Sequence, residues 1–507
     1  MEKYYLAVDL GAESGRVILG MLNDGRIELK EIHRFKTGPT SLPVKYLDHD
    51  HECCGNEFAL VWDFLKFWEE IKTGIREAAQ EFPIRSIGVD SWGVDFGLLS
   101  RDGELIAEPY HYRDNRTDGM MEKAFERLPK EKIYSLTGNQ FMKLNTLYQL
   151  LSLKLNHSDF LEITDKFLMI PDLVNYWLTG VAVSEFSQAT TTQVYNPRKR
   201  QWSPEIIDSM GLPPSIFPEV ILSGTKIGSL RSGLVEELGC DCMVVSPATH
   251  DTASAVAAVP AENENFTWIS SGTWSILGTN ITEPIINEHS YRMNFTNEGA
   301  KAGSFYFCKN ITGLWLVQQC RSQWEKEGKH YSYSELIELA EKAVHLKTII
   351  DPNYEEFLEV GDMLTRIQNY CRLTDQQAPE GEGEIIRSSL QGLALRYRHT
   401  IAQLEEIAGK KSDIIHIVGG GTKNHLLSQF TADACDRVVV TGPVEATAVG
   451  NIITQAITME DIKDWREGVQ IIRNSFDIKE YHPGKTDGWD HAYQRFKQNI
   501  ERTNQAF

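Results

Sequence analysis

Cysteine is scarce in this chain: eight among 507 residues, with no Cys-x-x-Cys pair. Cys53-Cys54 and Cys240-x-Cys242 are too tightly spaced for an ordinary zinc finger, and His51 has no third or fourth ligand nearby in sequence. Reduced thiols are the expectation. No stretch reaches the ~20 apolar residues that a membrane span requires. Met1-Glu2-Lys3 runs into an apolar strand without a signal-peptide layout, so a cytoplasmic chain with no membrane partner is expected. Positive charge is also short. The 51 Lys and Arg against 71 Asp and Glu leave a formal net charge of −20. A nucleic-acid binder needs a basic surface to meet phosphates, so that class is set aside. Low-complexity tracts and short repeats are missing too.

What is present is an ordinary globular composition, 41% hydrophobic and 24% charged, spread over a chain too long for one typical core. Apolar strands at 5–10, 16–21 and 26–35, with an Asn23-Asp24-Gly25 turn, read as a β-meander. Val61, Leu65, Trp68, Ile71, Ile75 and Ala78 fall on one helical stripe. Strands at 87–90 and 94–99 flank a turn, and residues 118–185 read as mainly helical. A second alternation starts near Met243–Ser246. Strand Phe266–Ser270, a Ser-Gly-Thr turn and strand Ile276–Asn280 then echo residues 5–21. A helix through Leu390–Ile407, strand Ile414–Val418, helix Leu426–Cys435, strand Arg437–Thr441 and helix Ala446–Ala456 complete an α/β unit. The fold expectation is two α/β domains with mixed sheets around a central cleft, divided at residue 260 into 1–260 and 261–507.

Several residues suit one chemistry. Asp9 ends the first strand beside a glycine-bounded turn with open amides, a pairing suited to a metal-bound polyphosphate or to a plain turn. Asp251 stands at a strand-to-helix junction ahead of small residues, as a general base or as a helix N-cap. The Ser270–Thr273 turn reads as a phosphate nest or as a simple hairpin. Gly419-Gly420-Gly421 lets backbone approach a flat ligand, but matches neither the P-loop nor the dinucleotide signature. Trp92 is a sugar-stacking or a core residue. His111, Arg113, Asp114 and Arg116 form a polyol-binding or a solvated charged cluster. Taken together, these features fit phosphoryl transfer, in which positioning and electrostatics dominate.

The ordered segments Asp-Leu-Gly-Ala-Glu-Ser-Gly-Arg (9–16), Val-Asp-Ser-Trp-Gly-Val-Asp-Phe (89–96) and Tyr-Arg-Asp-Asn-Arg-Thr (112–117) resemble the FGGY carbohydrate kinases. The same order continues through His-Asp-Thr-Ala-Ser-Ala-Val (250–256), Ser-Ser-Gly-Thr-Trp-Ser (270–275), Lys-Asn-Ile-Thr-Gly-Leu-Trp-Leu (309–316), His-Ile-Val-Gly-Gly-Gly (416–421) and Gly-Pro-Val-Glu-Ala-Thr-Ala-Val-Gly-Asn (442–451). That resemblance implies two ribonuclease-H-like domains of the actin and hexokinase ATPase type, closing on ATP and a ketose. It implies that the first domain binds sugar and phosphates and the second binds nucleotide. Ala12, Glu13, Ser14, Gly15, Arg16, Thr273, Gln318 and Gly420 would contact ATP, and Asp9 would help hold Mg²⁺. Gly93, His250, Asp251, Thr252 and Asn310 would line the sugar pocket, with Asp251 as the base. Disulfides found in some family members are not implied here, because Cys371 and Cys435 face Ser388 and Thr431 at the matching positions. The rivals are a kinase for a different ketose and an actin-like ATPase or sugar sensor that transfers nothing. The expected assembly is a monomer or a small homo-oligomer.

Overall fold

Strands Lys3–Leu10, Ser14–Asn23 and Arg26–Lys36 form the meander, turning at Asp24 and Gly25, which both take positive φ (47° and 70°). Such angles match the twist of a two-residue hairpin. The computed structural model describes residues 2–44, 58–263, 265–358, 361–484 and 487–505; His51, Cys53 and Cys54 lie outside the described residues. The chain forms two compact units. The first is 1–258 with 281–307 and 446–475, and the second is 259–280, 308–445 and 476–507. A single cut at residue 260 would place both returning segments in the second unit.

In the first unit a six-stranded sheet runs in the order Thr225–Ser229, Met243–Ser246, Ile84–Ser91, Lys3–Leu10, Ser14–Asn23, Arg26–Lys36. Lys3–Leu10, Ile84–Ser91 and Met243–Ser246 are mutually parallel, and antiparallel partners flank them. The second unit repeats that pattern. Thr267–Ser271, Ile414–Val418 and Val438–Thr441 are parallel, flanked by antiparallel Trp274–Ile281 and Lys479–Tyr481. The mixed-sheet expectation therefore holds in both units.

Helix Phe64–Glu81 buries Phe64, Phe67, Ile71, Ile75 and Ala78, whereas Leu65 is exposed. Each large buried side chain there contributes roughly 1.5–3 kcal/mol. The expected stripe was set too far toward the N-terminus, because Phe58–Trp62, which includes Val61, is a strand paired with Pro39–Pro43. Strand Thr164–Met169, paired with Phe96–Ser100, interrupts the helical stretch. Helix Ala446–Thr458 packs back on the first sheet at Gly88, where a Cβ would lie 2.3 Å from Asn451 Oδ1. The small residue is what permits this approach.

Candidate functional site

Three parallel strands of the first unit end side by side, and each delivers a carboxylate there. Asp9 lies directly opposite Arg16 on one neighbour and Asp90 on the other. Arg16 donates to Asp9 in a close ion pair. Asp90 is fully buried; its Oδ2 accepts from Asn451 Nδ2 at 2.5 Å, and its Oδ1 has no hydrogen-bond partner. Burial, then the Asp9 charge, push Asp90 well above the usual carboxylate range. Gly11 N–H donates to Ser14 O at 3.1 Å to close the turn that carries Ala12 and exposed Glu13. Gly15 is buried, with the Phe35 ring where a Cβ would stand.

The third strand, Met243–Ser246, leads to His250 and Asp251, and Ser91 bridges in parallel to His250. Asp251 is the first residue of helix Asp251–Ala257, and the N-cap is His250, so the N-cap alternative for Asp251 does not hold. Asp251 Oδ1 accepts the Thr252 N–H at 2.5 Å and the Thr252 hydroxyl at 3.2 Å. Burial, followed by the Asp9 charge, pushes its carboxyl up to about 7. Yet 34% of the side chain stays open to solvent. A carboxylate that is desolvated but reachable suits general-base work near neutral pH. His250 Nε2 lies 3.5 Å from Asp251 Oδ1, and its Nδ1 lies 3.5 Å from Glu298 Oε2. Burial lowers the His250 pKa, which favours the neutral ring, while the Glu298 charge opposes this. A Cβ on Gly93 would stand 3.3 Å from His250 Nε2, so this glycine leaves room at the ring.

Trp92 is a core residue. Its ring lies tilted against Trp62, centroids 4.1 Å apart, and it donates to buried Asp95 at 3.0 Å. Three of the four cluster residues, His111, Asp114 and Arg116, are buried. Arg116 donates to Gln149 Oε1 at 2.6 Å and lies 3.9 Å from the Tyr110 ring centroid, while His111 packs on Trp62. A solvated face therefore does not hold for His111, Asp114 and Arg116, whereas Arg113 is half-buried. Among the described residues six cysteines, Cys371 and Cys435 included, form no disulfide.

In the second unit, Gln318 Nε2 donates to Thr273 Oγ1 at 3.0 Å, joining two of the expected nucleotide residues. The turn after Thr267–Ser271 is a tight hairpin, with Gly272 N–H bonded to Trp274 O at 2.9 Å. The glycine run lies against it, since a Cβ on Gly421 would strike Ser271 Oγ, and Gly419 takes φ +87°. Gly420 is open on its outer side. Asn310 lies on strand Phe305–Thr312. Sequence reading passed over Asp90 as a site residue, together with Asn451 and Glu298. Asp90 has a signal, as the aspartate closing an apolar strand like Asp9; Asn451 closes the 442–451 segment of the resemblance, though nothing there pairs it with Asp90, and Glu298 has no signal.

The model of the FGGY family of carbohydrate kinases, N-terminal domain, matches residues 4–258, and that of the C-terminal domain matches 267–459. Rhamnulokinase of Bacteroides thetaiotaomicron is 40% identical over 499 residues, covering 98% of this chain and 99% of that one. Rhamnulokinase of Bacillus subtilis is 36% identical, covering 98% of both. Among solved structures, xylulose kinase from Lactobacillus acidophilus superposes with a TM-score of 0.79 at 17% identity, over 99% of this chain and 98% of that one. Plasmodium falciparum glycerol kinase with ADP gives 0.76 at 15% identity, over 99% and 98%. At such identities the likeness speaks for fold alone.

Proposed function

The chain belongs to the FGGY family of carbohydrate kinases, and from that premise we propose that it transfers the γ-phosphate of ATP to the C1 hydroxyl of L-rhamnulose. The products are L-rhamnulose 1-phosphate and ADP, a step of L-rhamnose catabolism. The substrate comes from the near full-length likeness to rhamnulokinases. One observation carries the chemistry: the part-open, desolvated Asp251 carboxylate at the end of its strand.

Asp251 takes the C1 hydroxyl proton as that oxygen attacks phosphorus. His250 and Thr252 flank it, and Gly93 leaves room for the sugar beside the imidazole. Asn310 is the proposed sugar contact of the second unit. Ala12, Glu13, Ser14, Gly15 and Arg16 of the first unit and Thr273, Gln318 and Gly420 of the second are the proposed nucleotide contacts. The first domain would thus serve sugar and phosphates, and the second the nucleotide.

The residues also fit a magnesium ion. Asp9, Asp90 and Asp251 repel one another, and Asp90 keeps a buried oxygen without a donor. Among the described residues no three-ligand metal cage exists. An ion at Asp9 would thus complete its shell with water and phosphate oxygens, as Mg²⁺ commonly does. When bound, it neutralises charge on the transferring group. The test is ADP release with a panel of ketoses. L-Rhamnulose should give the highest kcat/KM; preference for L-fuculose or L-xylulose would reassign the substrate, and ADP release indifferent to sugar would remove the kinase reading.

A further inference from the structure

One buried carboxylate outside the reacting groups is hydrogen-bonded to the backbone just ahead of His250 and Asp251. Glu185 is fully buried immediately before helix Phe186–Thr191. Its Oε2 accepts the Ser187 N–H at 2.8 Å, the Thr249 N–H at 3.1 Å, the Thr249 hydroxyl at 3.0 Å and the Ser187 hydroxyl. Ser187 Oγ in turn accepts the His250 N–H at 3.0 Å. Beside it, Gln188 Nε2 reaches Thr249 O at 3.2 Å, Ser91 O at 3.3 Å and Trp92 O at 3.2 Å. A short helical segment thus grips the ends of two parallel strands, and a single carboxylate oxygen takes most of the donors on one of them.

Glu185, Ser187, Gln188 and Thr249 are not among the proposed sugar or nucleotide contacts. What their network fixes is the backbone from which Asp251 projects. Asp172 backs it up: its Oδ1 accepts the Glu185 N–H at 3.2 Å, and burial together with the Glu185 charge hold its own carboxyl well above the usual range. Burial pushes Glu185 up as well, to about 7, while its bonds from Ser187 and Thr249 favour the charged form.

We propose that Glu185 is a positioning residue for phosphoryl transfer, fixing the approach of the Asp251 carboxylate to the sugar hydroxyl through Thr249, Ser187 and the His250 amide. The inference rests on Asp251 being the base. Glu185→Gln keeps the shape and can keep an oxygen on the four donors, but removes the charge that strengthens those bonds. The strand end then shifts, and a misplacement of about 1 Å costs on the order of 10²-fold in rate.

The test is a double-mutant cycle on the whole enzyme, using Glu185→Gln, Asp251→Asn and the pair. It reads kcat, the KM for L-rhamnulose, ATP affinity and the melting temperature. Glu185→Gln should lower kcat by roughly 10–100-fold with ATP affinity within about twofold of wild type. In the Asp251→Asn background it should lower kcat no further. A general loss of packing would instead reduce both backgrounds by the same factor, and that result overturns the proposal, as does unchanged kcat in folded Glu185→Gln. If Glu185→Gln does not fold, Thr249→Val, which removes one donor, decides by the same cycle, with a threefold to tenfold loss expected (order of magnitude). Undiminished kcat in Asp251→Asn alone would show that the base reading itself has failed, and this inference with it.

Discussion

Asp251 and Asp90 stand at neighbouring strand ends of the first unit with opposite accessibility. Asp90 is sealed, and Asp251 is part-open. Replacing Asp251 by Asn should lower turnover at least ~10²-fold while ATP binding persists. The base works deprotonated and its carboxyl is pushed up to about 7, so kcat/KM for the sugar should rise as pH passes through 7 and level off above it. A folded-state pKa raised above the unfolded value means stability that is present in acid and lost as pH climbs through about 7. Asp251→Asn should accordingly raise the melting temperature at pH 8 and leave it unchanged at pH 4, measured by calorimetry. A variant less stable at pH 8 would show the carboxylate to be stabilising, against this account.

Helices Asp251–Ala257 and Ala446–Thr458 meet so closely that a Cβ on Gly450 would lie 1.8 Å from the Ser254 carbonyl oxygen. Gly450→Ala must part them, with an expected loss of ~1–3 kcal/mol in urea unfolding and a fall in turnover, since one of the two carries Asp251. Unchanged stability would mean that the helices slide apart without cost. Much of this level was legible in the sequence. Asp9 and Asp251 announce themselves because each follows an apolar strand and precedes a turn or small residues. Asn451 does not, because 361 residues separate it from Asp90, and only tertiary packing brings its amide to that carboxylate. Strand Thr164–Met169 hid for a similar reason: flanked by helices, it is defined by its partner Phe96–Ser100 rather than by its own pattern. Trp92 and Arg116 carried the ambiguity of all amphipathic side chains, which the neighbours Trp62, Asp95 and Gln149 resolve.

At the scale of the whole molecule, the same strand layout occurs twice, and the two copies carry different residues at corresponding strand ends. Where the first unit has Asp9, the second has the Ser271-Gly272-Thr273 turn with Gln318. Among the described residues no helix is long and apolar enough to cross a membrane. Removal of divalent metal by chelation should abolish transfer, and Mg²⁺ should restore it; transfer that persists without metal would contradict the role given to Asp9. The most direct test follows ATP and L-rhamnulose by phosphorus NMR with the wild-type chain and with Asp251→Asn. One C1 phosphomonoester should form for each ADP in the wild type, and its formation should be at least ~10²-fold slower in the variant. Equal rates in the two proteins, or ADP without a sugar phosphate, would contradict it.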